Sequence, residues 1–392
     1  MFEDLGNELK VTLLNIYVTK IKRVDLEKIG RYFAGLRDIS FDASPKASVK
    51  FYKLLADAFN DLENKISKKK AIYINRASGI PLVGNIAFGI TDRGTNIVEI
   101  KPMTGCNIKC TYCSVNEDVR LLDFVVEKDY LVEELVKVAL LKECDDIEIH
   151  IGPQGEPLLY GDLVELVRDM RKIPQIKRIS MVTNGTLLTT QMMDALIKAG
   201  ITRFDLSINA VTPEVAKSIA AVGDAYNIEK IRKVALYLSD KVELVITPTW
   251  IPGINDDQLD AIVEFTKSLE NANFQPKLGI QNFLNYRFGR NPVKEASWDT
   301  FYAKLKDLEQ KHDFKLIVDA RDFKVQETKK LPKPFKKNDI VEVDVVCKGR
   351  LPGEWIGVAK DRNLSVYQCN GLGRYRVKIT RSKHNVFTAV CV

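Results

Sequence analysis

Three cysteines fall within eight residues of this 392-residue chain. Cys106, Cys110 and Cys113 stand in a C-x3-C-x2-C spacing inside Met103-Thr-Gly-Cys-Asn-Ile-Lys-Cys-Thr-Tyr-Cys-Ser114. Thiolates this close can wrap one small inorganic centre. A cubane iron–sulfur cluster takes four ligands, so three cysteines leave one iron open. An open iron can bind a substrate or cosubstrate, which points to catalysis rather than electron transfer alone. Zinc is the alternative, but it usually takes a second C-x2-C or H-x3-5-H pair, and none follows here.

With Tyr112 directly before the third cysteine, the stretch resembles the cluster loop of the radical S-adenosylmethionine enzymes. The resemblance implies a [4Fe-4S] cluster on Cys106, Cys110 and Cys113. It also implies S-adenosylmethionine chelated at the open iron and an external one-electron donor. Reductive cleavage of the sulfonium would then give a 5′-deoxyadenosyl radical. Gly152-Pro-Gln-Gly-Glu-Pro-Leu158 resembles the family's Gly-Gly-Glu-Pro motif. Gln154 replaces the first glycine, whereas Gly155, Glu156 and Pro157 match, and the segment is expected to receive the methionine amino group. Thr183-Asn-Gly-Thr186 resembles a cosubstrate-proximal element (Thr183, Asn184), and it also fits an ordinary strand-to-helix turn with Gly185 at positive φ. Asp205-Leu-Ser-Ile-Asn209 resembles a Ser-x-Asn element. Ser207 and Asn209 share one strand face by the period of two and can meet the ribose hydroxyls or the methionine carboxylate. In Thr247–Asp256, Asn255 or Asp256 is expected to cap the following helix.

These residues need a scaffold that brings loop ends together. From Val98 onward, short β-branched runs alternate with amphipathic stretches. The pattern predicts strands at Val98–Lys101, Asp146–Ile151, Arg178–Val182, Arg203–Ile208, Val242–Thr247 and Pro276–Phe283. It predicts helices near Val126–Lys142, Asp162–Lys172, Thr190–Lys198, Ile228–Leu238, Asp256–Ser268 and Ser297–Lys311. Six strand–helix repeats with apolar strands mean a parallel sheet covered by helices, too few for a closed eight-fold barrel. The family resemblance implies an α/β fold built on a partial six-fold (β/α) barrel, placed at residues 81–320. Chemistry then lies beyond the carboxyl ends of the strands. After the sixth strand, Gln281, Asn285, Arg287 and Arg290 either face substrate, with the arginines clamping a phosphate or carboxylate, or form surface ion pairs. His150 lies within the second strand, where a structural role is expected of it.

Residues 1–80 read as a helical extension, with apolar residues three and four apart in Val11–Ile21, Leu26–Leu36 and Ser48–Ile66. Pro81–Ile100 reads as a hairpin leading into the cluster strand. Residues 321–337, charged and then proline-bearing, read as a linker. Five short strands beyond it predict a small antiparallel β-barrel at 338–392. That segment resembles the TRAM domain, an RNA-binding barrel, through Asp339-x-Val-Glu-Val343, Gly357-Val-Ala-Lys360 and Gly373-x3-Val-Lys-Ile-Thr380. Gly353-Glu-Trp-Ile-Gly357 is bulkier than the family's glycine-rich run. Trp355 can stack on a base, while Lys360, Arg362, Arg374, Arg376 and Lys378 can neutralise phosphates.

Charge follows the same division. Net charge is +7, yet Lys324–Val392 alone holds 15 Lys and Arg against 6 Asp and Glu. RNA, with tRNA foremost, is therefore the expected partner. A peptide or small-molecule substrate with a structural barrel is the alternative, and a non-catalytic RNA-binding or redox module is a third. Methylthiotransferases and wyosine-type enzymes carry extra cluster cysteines upstream of the radical loop, and no cysteine precedes Cys106. Seven cysteines, three of them committed, argue against a disulfide framework and for a reducing cytoplasm. Cys347, Cys369 and Cys391 are expected as buried core residues, or less simply as ligands of a second centre. No apolar run of about 18 residues indicates a membrane span.

Overall fold

The computed structural model describes residues 1–42, 46–152, 154–271 and 274–392. Pro153 of the 152–158 loop lies outside the described residues. The central sheet contains β1 (Gly89–Asp92), β2 (Ile97–Lys101), β3 (Ile147–Ile151), β4 (Ile176–Thr183), β5 (Arg203–Leu206), β6 (Glu243–Ile246) and β7 (Lys277–Leu278). β1 and β2 form the expected antiparallel hairpin, and β2 to β7 run parallel in strict chain order. Right-handed crossovers without a reversal of order put every covering helix on one face. That face is apolar: Ile149, Ile151, Ile179, Met181, Phe204, Leu206 and Ile246 are fully buried. Each such side chain contributes roughly 1.5–3 kcal/mol by leaving water. The opposite face is left to curve around a cavity.

The helices that follow the strands of this sheet are α1 (Lys128–Leu141), α2 (Leu163–Met170), α3 (Thr190–Ala199), α4 (Pro213–Ala220), α5 (Ile228–Ser239), α6 (Leu259–Lys267) and α7 (Trp298–His312). α4 has no counterpart in the sequence reading, although Pro213 at its first turn after Thr212 is a start signal.

Among its described residues the N-terminal region holds more strand than helix, which corrects the helical expectation for residues 1–80. Strands Glu8–Leu13 and Tyr17–Lys22 pair antiparallel. Leu14 and Asn15 turn between them at φ 48° and 65°. Leu9 and Val11, then Tyr17, Thr19 and Ile21, are buried, so the true period is two. The three-and-four spacing of Val11–Ile21 came from reading across the turn. Among the described residues, only Arg23–Glu27 and Ala47–Ala58 are α-helical there. Leu122–Val126, just past the cysteine loop, joins this sheet parallel to Lys69–Ile74.

Residues 321–337 do not form a free linker. Asn96 N–H donates to Gln326 O at 2.9 Å and Leu331 N–H to Asp92 Oδ2 at 3.0 Å. Leu331 and Phe335 are buried. Phe323 lies under the Arg203 guanidinium at 5.2 Å, closing the amino-terminal end of the curved sheet. Lysines and prolines gave the segment a solvated look, but its two large apolar side chains anchor it.

The C-terminal barrel is closed, in the order β8 (Ile340–Lys348), β9 (Glu354–Ala359), β10 (Arg362–Tyr367), β12 (Thr388–Cys391), β11 (Gly373–Arg381). Cys369 and Cys391 are joined as a disulfide, against the expectation of free core thiols. β10 and β12 are neighbours in space but not in sequence, so spacing alone did not pair them. Cys347 is free. The barrel packs on the 81–87 segment: Asn363 N–H donates to Val83 O at 3.0 Å and Phe387 N–H to Gly84 O at 2.8 Å. A Cβ on Gly84 would sit 1.8 Å from Asn363 O, so this contact requires glycine. Among the described residues no helix is long and apolar enough to cross a membrane.

Candidate active site

A cavity of about 320 Å³ opens at the carboxyl ends of the parallel strands. Cys106, Cys110 and Cys113 line it with Tyr112, Gln154, Gly155, Glu156, Thr183, Asn184, Ser207, Asn209 and Gln281. Residues drawn from five loops thus meet on one cavity. Pro157 does not line the cavity; it starts the short 3-10 turn behind Glu156.

The cysteine loop is held from several sides. Lys109 and Thr111 N–H donate to Ala220 O at 3.0 Å and Ile219 O at 2.9 Å. These are end carbonyls of α4, which otherwise lack a partner. Glu156 N–H donates to Gly105 O at 2.7 Å, and a Cβ on Gly155 would stand 2.3 Å from that oxygen. The second motif therefore abuts the first, and only glycine fits between them.

Glu156 is buried within the protein's own hydrogen bonds. Its carboxylate accepts from Thr183 Oγ1 at 2.7 Å, Asn184 N at 2.8 Å and Leu158 N at 3.1 Å. Burial nonetheless raises its carboxyl to about 7, because desolvation outweighs three donors. Asn209 Nδ2 donates to the Tyr112 hydroxyl at 2.8 Å, and its Oδ1 accepts from Thr249 N at 2.8 Å. Asn209 is thus a brace between loops, while Ser207 lines the cavity directly. Asn184 likewise bridges to Asn107 at 3.0 Å. Asn255 ties Asn209 O and Thr249 O at 2.9 Å each and accepts from Ile251 N.

Burial raises all three thiols, Cys110 to about 12. Their thiolates therefore need a positive centre beside them, and metal binding would displace the protons. Among the described residues no three His, Cys, Asp or Glu side chains converge as around a single ion, so the thiols surround the cavity instead of meeting at a point. Three thiol donors with no fourth suit a cluster having one open iron.

The remaining sequence candidates separate. Asn285 spends its amide on Val293 O and Glu295 N, both at 3.0 Å. Arg287 lies over Phe288 at 4.9 Å. Arg290 donates to Asn116 Oδ1 at 3.1 Å, to Asp118 at 2.8 Å and to Lys109 O. It buttresses the cysteine loop from outside, and of the four residues only Gln281 reaches the cavity.

His150, Glu117 and Tyr226 line the cavity without having been assigned there by motif. Beneath it His150 Nδ1 is 2.9 Å from Ser180 Oγ, which donates to Glu148 Oε1 at 2.7 Å. Arg203 pairs with Glu148 and Asp205 at 2.8 Å each. The alternation of β3, β4 and β5 encoded this inward polar row, visible as Glu148-x-His150 and Arg203-x-Asp205-x-Ser207.

In the C-terminal barrel, Arg374, Arg376 and Lys378 are exposed along β11, while Val377 and Ile379 face the core. Trp355 packs partly into that core. Arg362 donates to Pro332 O at 2.8 Å, and the Lys360 ammonium sits 5.5 Å from the Phe335 ring.

A model described as the radical SAM superfamily matches residues 100–266. The chain is 39% identical over 363 residues to an uncharacterized protein of Methanocaldococcus jannaschii, MJ0103, covering 85% of this chain and 83% of that one. It is 30% identical over 179 residues to GTP 3′,8-cyclase of Clostridium botulinum, covering 45% of this chain and 54% of the cyclase, about half the cyclase's length. A solved structure of TYW1 with a lysine-pyruvate adduct matches 60% of this chain and 80% of that one, at 20% identity and a TM-score of 0.40.

Proposed function

Because this chain belongs to the radical SAM superfamily of enzymes, with a [4Fe-4S] cluster and S-adenosylmethionine as cofactors, we propose that it modifies RNA, with tRNA as the substrate class. Cys106, Cys110 and Cys113 hold the cluster, and Gly155, Glu156, Thr183 and Ser207 border the cosubstrate. When bound, the two cofactors supply a hydrogen-abstracting radical after one electron arrives from an external donor. The protein's part is to position and to exclude water. Tyr112, Asn184 and Asn209 brace the loops around the reacting centre, and α4 closes the wall behind them.

The observation that carries this reading is the meeting of all three cysteines with Gly155, Glu156 and Ser207 on one cavity. Support for RNA comes from the exposed cations of β11 on a TRAM-like barrel. A second reading, a peptide or small-molecule substrate with a structural barrel, draws on the close packing of Asn363 and Phe387 against residues 83 and 84. Incubating bulk tRNA with the reconstituted full chain, reductant and S-adenosylmethionine, then digesting to nucleosides for mass spectrometry, separates the two. A new or mass-shifted nucleoside is expected. An unchanged profile, alongside continued S-adenosylmethionine cleavage, would favour the second reading.

A further inference from the structure

Gln154 occupies the place where the resembling motif carries glycine, and its side chain has a partner from another part of the chain. Arg350 Nη2 donates to Gln154 Oε1 at 2.5 Å. Arg350 belongs to the turn between β8 and β9 of the C-terminal barrel, 196 residues away, and is 3% exposed. Its Nη1 has no protein partner. Burial lowers the guanidinium's pKa to about 10, against the opposing charges of Glu354 and then Glu117. A buried, incompletely paired arginine is costly and does not arise from surface packing.

The turn that presents it is fixed. Arg350 O accepts from Leu121 N at 2.7 Å, and Gly349 N–H donates to Glu354 O at 2.8 Å. Glu354 accepts from Leu351 N at 3.1 Å and Ser365 Oγ at 2.5 Å, and Ser365 Oγ accepts from Asn85 at 2.9 Å. A Cβ on Gly349 would strike Glu354 Cγ at 2.3 Å. Because arginine carries donors only, the Gln154 atom facing it must be the oxygen. The amide nitrogen is then the end of Gln154 left for the cavity, which it lines with Cys113, Glu117 and Glu156.

We infer that Gln154 donates a hydrogen bond to an oxygen of bound S-adenosylmethionine, and that Arg350 of the C-terminal barrel is the positioning residue that sets this donor. The inference rests on the cavity binding S-adenosylmethionine. It makes the barrel a support behind the active-site wall, whatever else the barrel binds.

The test is a double-mutant cycle on the reconstituted full chain. S-Adenosylmethionine binding is measured by calorimetry without reductant, and each variant's folding by thermal melt. Gln154→Leu and Arg350→Met should each weaken binding about tenfold, and the double variant about as much as either single, because linked residues are non-additive. Arg350→Lys, which keeps a donor, should recover part of the loss. A Gln154→Leu affinity within about twofold of wild type, or a double variant equal to the product of the singles, would overturn the inference. If Arg350→Met does not fold, Gln154→Leu alone decides. Absence of binding by the wild type would instead remove the functional reading, and this inference with it.

Discussion

The two barrels of this chain treat charge in opposite ways. In the parallel barrel Glu148, Arg203 and Asp205 are buried beneath the cavity and pair with one another. In the C-terminal barrel Arg374, Arg376 and Lys378 stand in solvent, on a strand whose inward side chains are Val377 and Ile379. Buried charge persists only when paired and hydrogen-bonded. It fixes geometry but cannot meet a large partner. Exposed charge is mobile and screened by salt, and it can meet a polyanion. The proposed function thus places chemistry on the inner surface of one barrel and RNA recognition on the outer surface of the other, with Arg350 as the exception that crosses between them.

The largest effect is expected at the cysteine loop. Cys110→Ala should abolish the brown chromophore and all release of 5′-deoxyadenosine, read by absorbance and chromatography. Full cluster absorbance in that variant would move the centre elsewhere. On the displayed side, combined Arg374→Glu, Arg376→Glu and Lys378→Glu should weaken binding of the full chain to bulk tRNA about 100-fold at low salt. The slope of log affinity against log salt should become shallower by about 2. S-Adenosylmethionine cleavage should be untouched, and a parallel loss of cleavage would erase the division of labour.

Glu156 sharpens the buried side. Its folded-state pKa of about 7 lies above the ordinary 4.5. Its stabilising effect is therefore fully present below pH 4.5 and is lost as pH rises through 7, since the folded state binds the extra proton in that window. Glu156→Gln removes this titration. In urea unfolding of the cofactor-free protein, the variant should gain on wild type by about 3 kcal/mol between those pH values. A constant difference would place the titration in another group. The smallest expected effect is at the join: Gly84→Ala forces a Cβ onto Asn363 O and should cost about 2 kcal/mol in thermal unfolding.

Much of the parallel barrel was legible, because strands buried on a helix-covered face show as β-branched runs such as Ile147–Ile151 and Glu243–Ile246. Their loop ends could be read in order as cavity residues. The N-terminal sheet was not legible, since a tight turn at Leu14-Asn15 joined two alternating strands into a false helical period. Asn285, Arg287 and Arg290 looked like substrate ligands by residue type. Nothing local says that Arg290 turns back to the Cys113 loop. Arg350 carries no motif, and its partner lies 196 residues away, so only folding reveals it. Asn209 was found by resemblance, but its role as a brace depends on Tyr112 and Thr249 reaching it.

This cavity is proposed to cleave S-adenosylmethionine. The direct measurement is anaerobic reconstitution of the full chain with iron and sulfide, followed by dithionite and S-adenosylmethionine and quantification of products. 5′-Deoxyadenosine and methionine are expected in equal amounts, and neither is expected with Cys110→Ala. A protein that carries a full cluster absorbance and returns the S-adenosylmethionine intact would contradict the proposal.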